Sequence, residues 1–143
     1  MEFYKIFLSA HKGFAYLELA LVAAFLVLLL VTMFGYSGKI SKPFRKVTLF
    51  TMIFFHVQFL IGLVMLITNF TKGLDMSLVM KNADLRFQYV EHPFSMLIAA
   101  VLMTIINKKL KTSEKLTIPI MSLGLVAIAL FVFAFPWGRV FGA

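Results

Sequence analysis

The sequence predicts an all-α fold: a polytopic membrane protein built as an antiparallel bundle of four transmembrane helices. Of its 143 residues, 62% are hydrophobic, and the mean hydropathy is +0.97. A soluble domain is nearer half apolar. The apolar residues fall into four blocks, and a helix needs about 20 mostly apolar residues to cross the hydrocarbon core. Little chain is left outside these blocks, so we expect one domain over residues 1–143.

The four predicted spans lie at approximately 3–36, 44–69, 90–107 and 116–135. Residues 1–9 lack the basic segment and small-residue cleavage site of a signal peptide, so we expect them to belong to the first helix. The third span is short if it starts at Pro93. The preceding residues, Leu85 to Val90, could be helical or could dip into the outer leaflet. Proline suits the first turn of a helix, but a helix that starts earlier should be kinked there.

The basic residues indicate how the spans are oriented. Loops one and three hold eight Lys and Arg residues against one acid, whereas the other side holds six against four. The eight are Lys39, Lys42, Arg45, Lys46, Lys108, Lys109, Lys111 and Lys115. Cytoplasmic loops carry the excess of Lys and Arg, so both termini should face the outer side. This placement accounts for the net charge of +8, and nucleic acid is not expected as a partner.

The absence of cysteine excludes several kinds of chemistry. Disulfides, thiolate metal sites, thiol catalysis and covalent haem attachment all require it. The chain also has no glycine-rich phosphate loop and no motif of a soluble enzyme. Whether it is an enzyme stays open, and an electron-transfer or accessory subunit fits better than a stand-alone catalyst.

Ionisable side chains inside a membrane are costly and indicate function. In this sequence they are His11, Glu18, His56 and the adjacent pair Glu91 and His92. Counted from the cytoplasmic end at about 1.5 Å per residue, His56 lies about 17 Å and His92 about 23 Å along its span. By the same count Glu18 lies at about 27 Å and His11 at about 37 Å. Depth therefore favours His56 and His92 as neighbours.

Histidines on facing helices of a bundle are suited to holding a cofactor. Two imidazoles could bind a haem iron from both sides, although a lone histidine in a span more often makes a helix–helix hydrogen bond. Glu18 could face a cavity, a proton path or a metal, or pair with a Lys or His. Glu91 could orient His92 or accept protons from a quinol, or simply occupy a helix N-terminus. Arg86 could pair with haem propionates or anchor the chain at the membrane interface.

Four stretches of the chain share their pattern with a known family. They are His11 to Leu17, Phe50 to Met65 with FFHVQFLIGLVM, Leu85 to Ile106 with VEHPFSMLIAAVLMTI, and the Pro136-Trp137 ending. The chain thereby resembles the small bacterial four-helix membrane proteins named cytochrome B. That family usually has Ser after the first histidine, where this chain has Lys12. The resemblance implies a four-helix fold and a non-covalent haem b with His11, His56 and His92 as ligands.

The predicted function is a b-type cytochrome, or a cytochrome-like subunit for electron transport, in the bacterial inner membrane with both termini periplasmic. Its partners besides lipid would be quinol and other subunits of a respiratory or other membrane complex. Depth favours His56 and His92 as the axial pair, with His11 as a second-site ligand, a propionate contact or a substitute. One alternative is a cofactor-free accessory subunit. Another is an ion-handling protein with a cation on Glu18, His56 and His92.

Overall fold

The computed structural model describes residues 2–35 and 38–142, and almost all of them are helical, which confirms the all-α prediction. The predicted end of span one at Tyr36, and the chain ends Met1 and Ala143, lie outside the described residues. The elements are α1 (Glu2–Gly35), α2 (Lys42–Thr71), α3 (Met76–Lys81), α4 (Ala83–Arg86), a π-helix (Phe87–Glu91), α5 (His92–Thr112), α6 (Ile118–Ala134) and α7 (Trp137–Phe141).

Three helical segments are long and apolar enough to cross a membrane. They are α1, α2 and the continuous helix Ala83–Thr112, which joins α4, the π-helix and α5. Helix α6 is also apolar, but its 17 residues are fewer than the roughly 20 of an ordinary span. The structure thus supports a membrane protein with three candidate spans, and the fourth crossing stays a prediction.

Local sequence signals explain where α2 and α6 begin. The Ser41 hydroxyl accepts a hydrogen bond from the Phe44 N–H, and Pro43 occupies the first turn of α2. Thr117 caps α6 in the same way, with Pro119 in its first turn. Each cap satisfies an N–H that has no partner within its helix, and the missing N–H of proline costs nothing at that position.

The loops that precede α2 and α6 are joined to each other. The Ile40 N–H donates to the carbonyl of Glu114 at 2.9 Å, and the Arg45 guanidinium donates to the carbonyl of Ser113 at 2.6 Å. These bonds hold the two basic loops side by side at one end of the molecule, hereafter the loop end. The opposite end, where α1 starts and α6 finishes, is the terminal end.

A π-helix lies where the sequence predicted a kink. Pro93 has no N–H to donate, and its ring would clash with the carbonyl four residues earlier in an α-helix. The wider π turn over Phe87–Glu91 accommodates this break and lets the helix run on into α5. Residues 85–90, for which the sequence left helix open, are therefore helical.

The four long helices pack in a closed order: α1 contacts α2, α2 contacts α5, α5 contacts α6, and α6 contacts α1. Most of the largest buried side chains lie in the half nearer the loop end: Phe25, Leu29, Phe44, Met103, Ile106 and Leu110. The terminal half is less tightly filled, and the candidate site lies there.

Candidate functional site

A cavity of about 330 Å³ lies between α1, α2 and α5 at the terminal end, with the C-terminal segment along one side. Helix α1 contributes residues spaced alternately by four and three, which places them on one face. These residues are Tyr4, Leu8, His11, Ala15 and Glu18. The walls are mostly apolar and carry a few convergent polar groups, as in sites for small molecules and cofactors.

Two of the three histidines meet in this cavity. The rings of His11 on α1 and His92 on α5 have centroids 6.1 Å apart, and their planes are nearly perpendicular at 88°. The structure therefore brings His92 together with His11, whereas depth along the helices favoured His56.

The ring of His92 is held in one orientation and one tautomer. Its Nδ1 lies 2.7 Å from the main-chain oxygen of Ala134. A carbonyl oxygen can only accept, so Nδ1 must carry the proton, and Nε2 of the neutral ring is left with a free lone pair. Ala134 ends α6, where the last carbonyls have no helical partner. The arrangement is typical of metal-binding histidines, whose second nitrogen donates to a carbonyl or carboxylate.

Residues of α2 position the backbone and the ring of His11. The Gln58 amide donates from Nε2 to the main-chain oxygen of His11 at 3.0 Å. Gly62 lies against the ring, since a Cβ at this glycine would be 3.4 Å from Cε1 and 3.9 Å from Nε2. The buried Nδ1 of His11 has no hydrogen-bond partner among the described residues.

Other polar groups also line the cavity. Toward the loop end, Glu18 is 4% exposed and Gln58 is 6% exposed. Their Oε1 atoms are buried and have no hydrogen-bond partner within the described part of the chain. Two cationic side chains also line the cavity, Lys12 next to His11 on α1 and Arg139 on α7. The cavity therefore combines a histidine pair with buried acceptor oxygens and two cations.

His56 lies away from the cavity, and its side chain is exposed. Its Nε2 is 2.7 Å from the Thr104 hydroxyl, which itself donates to the carbonyl of Ala100. The Thr104 oxygen therefore accepts, and Nε2 of His56 carries the proton. This contact between α2 and α5 is the helix–helix hydrogen bond that the sequence left open as an alternative.

Arg86 and Glu91, two further candidates, bind each other. The Arg86 Nε donates to Glu91 Oε1 at 3.0 Å, and the side chains are 38% and 35% exposed. Neither residue lines the cavity, and the arginine that does so is Arg139.

Three residues at the site were not singled out from the sequence: Gln58, Gly62 and Arg139. A signal for the first two was present, because positions 58 and 62 are four apart and share a face of α2. His56 is two residues from Gln58, which turns it about 200° around the helix. Arg139 had no such signal, because α7 had to be placed against the cavity first.

The donor set is small. Across residues 2–35 and 38–142, no group of three or more His, Cys, Asp or Glu side chains could hold a metal ion. Comparison with known proteins adds no assignment: no family model, no curated protein and no solved structure matches the chain.

Proposed function

We propose that the chain is a b-type cytochrome, or a cytochrome-like subunit, in which His11 and His92 would hold one haem. The 6.1 Å separation of their ring centroids carries the proposal. An imidazole nitrogen binds a metal at about 2.0–2.1 Å, so two rings on opposite sides of one ion have centroids about 6 Å apart. The observed separation agrees with that arrangement.

The number of donors favours haem over a bare metal ion. Two imidazoles are an incomplete set for a divalent cation, which takes four or more ligands. Two histidines would be enough to hold a haem, because its porphyrin supplies the other ligands of the iron.

The surrounding residues have defined roles in this proposal. The Ala134 carbonyl fixes His92 with its Nε2 free, and the glycine at position 62 leaves room for the ring of His11. Lys12 and Arg139 are the cations available to pair with the carboxylates of haem. Bound haem would supply one-electron transfer, and the apolar walls would limit access of water and so affect its potential.

The proposed placement is a bacterial inner membrane, with α6 as a fourth crossing and both termini periplasmic. The joined basic loops, which carry most of the Lys and Arg excess, support a cytoplasmic loop end. The histidine pair would then lie in the periplasmic half of the membrane.

The test is a reduced-minus-oxidised optical spectrum of protein purified from its membrane in detergent. We expect a b-type α-band that is lost in His11→Ala and in His92→Ala. His56→Ala is the matched control, since it removes an imidazole of the same helix array outside the cavity, and it should retain the band. Loss of the band in His56→Ala alone would restore the pairing based on depth. No band in the unmodified protein would leave a cofactor-free accessory subunit as the better account.

A further inference from the structure

The inner end of the cavity holds acceptor atoms that the proposed haem site does not use. Glu18 and Gln58 are both more than nine-tenths buried, line the cavity and present Oε1 atoms without a partner in the described chain. A carboxyl group buried among apolar side chains is costly unless something binds it. The partner that these oxygens lack is a hydrogen-bond donor.

The cavity also reaches the outer surface of the helix array between α2 and α5. Leu63 and Leu97 line it from these two helices, and they are 37% and 39% exposed. Phe94 lines it too and is 64% exposed. These residues belong to segments apolar enough to cross a membrane, so the opening would face lipid.

We propose that the inner end of the cavity is a binding site for a quinol, a lipid-soluble molecule with a hydroxylated aromatic ring. One ring hydroxyl shares its single proton between the carboxyl of Glu18 and the amide oxygen of Gln58 in a bifurcated hydrogen bond. The ring lies among apolar and aromatic walls that include Phe55 and Phe59, and the apolar tail leaves between α2 and α5. Aromatic side chains favour such a ring by edge and face contacts.

The acceptor chemistry also gives the site a preference between redox forms. A quinol has two hydroxyl donors, whereas the oxidised quinone has only acceptor oxygens. The two unpartnered oxygens therefore favour the quinol, which has protons to donate to them, over the quinone, which has none. A free cation is a weaker fit, because Lys12 and Arg139 line the same cavity and its walls are mostly apolar.

Glu18 lies seven residues, about two helical turns, from His11 toward the loop end, so bound quinol and bound haem are separate quantities to measure. The same purified samples can therefore be analysed for bound haem and for bound quinol. Quinol binding by protein that lacks haem would contradict the cytochrome proposal and support this one. Bound haem without quinol binding would support the cytochrome proposal and contradict the quinol site.

The experiment is anaerobic equilibrium binding of a decyl-substituted benzoquinol to the detergent-purified full chain, with bound quinol separated by ultrafiltration, extracted and quantified. The dimethyl ether of the same quinol has the ring and tail but no donor. We expect the ether and the quinone each to bind at least tenfold more weakly, as for the loss of a hydrogen bond to a charged or buried group. This comparison uses the unmodified protein and needs no variant to fold.

Variants then locate the site. Glu18→Leu and Gln58→Leu should each weaken quinol binding about tenfold, while Glu18→Gln, which keeps an acceptor oxygen, should stay within about threefold. Gln88→Leu is the matched control, since Gln88 lines the cavity from the π-helix. Any one of three results would overturn the assignment. The first is equal binding of the quinol and its dimethyl ether, and the second is an equal loss of quinol binding in Gln88→Leu and Gln58→Leu. The third is displacement of the bound quinol by decanol as readily as by further quinol.

Discussion

Gly62 is the residue whose lack of a side chain matters most for the histidine pair. A methyl group at this position would touch the ring of His11 at 3.4 Å, and a larger group would displace it. Overfilling a packed site costs about 1–3 kcal/mol. Under the proposed function, Gly62→Val should lower the haem content of the purified protein severalfold, whereas Gly62→Ala should have a small effect. The measurement is haem per polypeptide by absorbance, with helicity checked by circular dichroism.

Gly13 provides the control for this substitution. It lies on the helix that carries His11, yet a Cβ there would meet nothing within 4 Å. Gly13→Val changes the same residue type in the same way, so it should leave the haem content unchanged. An equal loss in both valine variants would attribute the effect to the helix and not to the histidine ring.

The direction of each side chain explains why depth along the helices paired His56 with His92, whereas the structure brings His11 and His92 together. Depth along a helix can be counted from the sequence, and the count placed His56 and His92 in neighbouring layers. The face of the helix decides which side chains meet, and His56 points about 200° away from Gln58. Its hydrogen bond to Thr104 uses a side chain on α5 that no sequence pattern linked to it. The contact between His11 and His92 could not be predicted without knowing how α1 packs against α2.

At the scale of elements, small residues set how closely the helices approach. The buried face of α6 consists of Ile120, Gly124, Ala127, Phe131 and Ala134, spaced alternately by four and three. Close approach through small residues is how membrane helices gain packing contacts without a hydrophobic driving force. This face could be read from the periodicity of the sequence, but its partner on α1 could not.

The close approach at Gly124 can be tested by substitution. A Cβ there would lie 3.1 Å from Leu29 Cδ2 and 3.5 Å from Phe25 Cζ, and both side chains are fully buried. We expect Gly124→Val to lower the free energy of unfolding by about 1–3 kcal/mol because those side chains have little room to move. Unfolding in sodium dodecyl sulfate followed by circular dichroism measures it. Ala129→Val, on the exposed face of α6, should change stability little, and equal losses would argue against tight α1–α6 packing.

At the scale of the whole molecule, hydropathy predicted the helical class but could not set every boundary. The continuous helix that contains α5 begins at Ala83, before the predicted start of the third span at about residue 90. Its first residues include polar side chains, so hydropathy alone does not assign them to the span. Helix α6 is shorter than the block of apolar residues, since Phe135 and Pro136 leave the helix. The cavity has no signature in hydropathy, because it depends on where α1, α2, α5 and the C-terminal segment leave space unfilled.

Because the two basic loops are hydrogen-bonded to each other, the orientation in the membrane has two alternatives: both loops in the cytoplasm or both on the outer side. Hydrogen bonds between the α1–α2 and α5–α6 loops require both to lie on one side, and the excess of basic residues predicts the cytoplasm. The chain has no cysteine, so Lys109→Cys and Lys72→Cys each introduce one labelling site without further changes. In intact spheroplasts a membrane-impermeant maleimide should label position 72 and spare position 109 until the membrane is broken. The reverse pattern would mean that the loop end faces the periplasm. Labelling of both sites in intact spheroplasts would mean that the chain crosses the membrane an even number of times between positions 72 and 109.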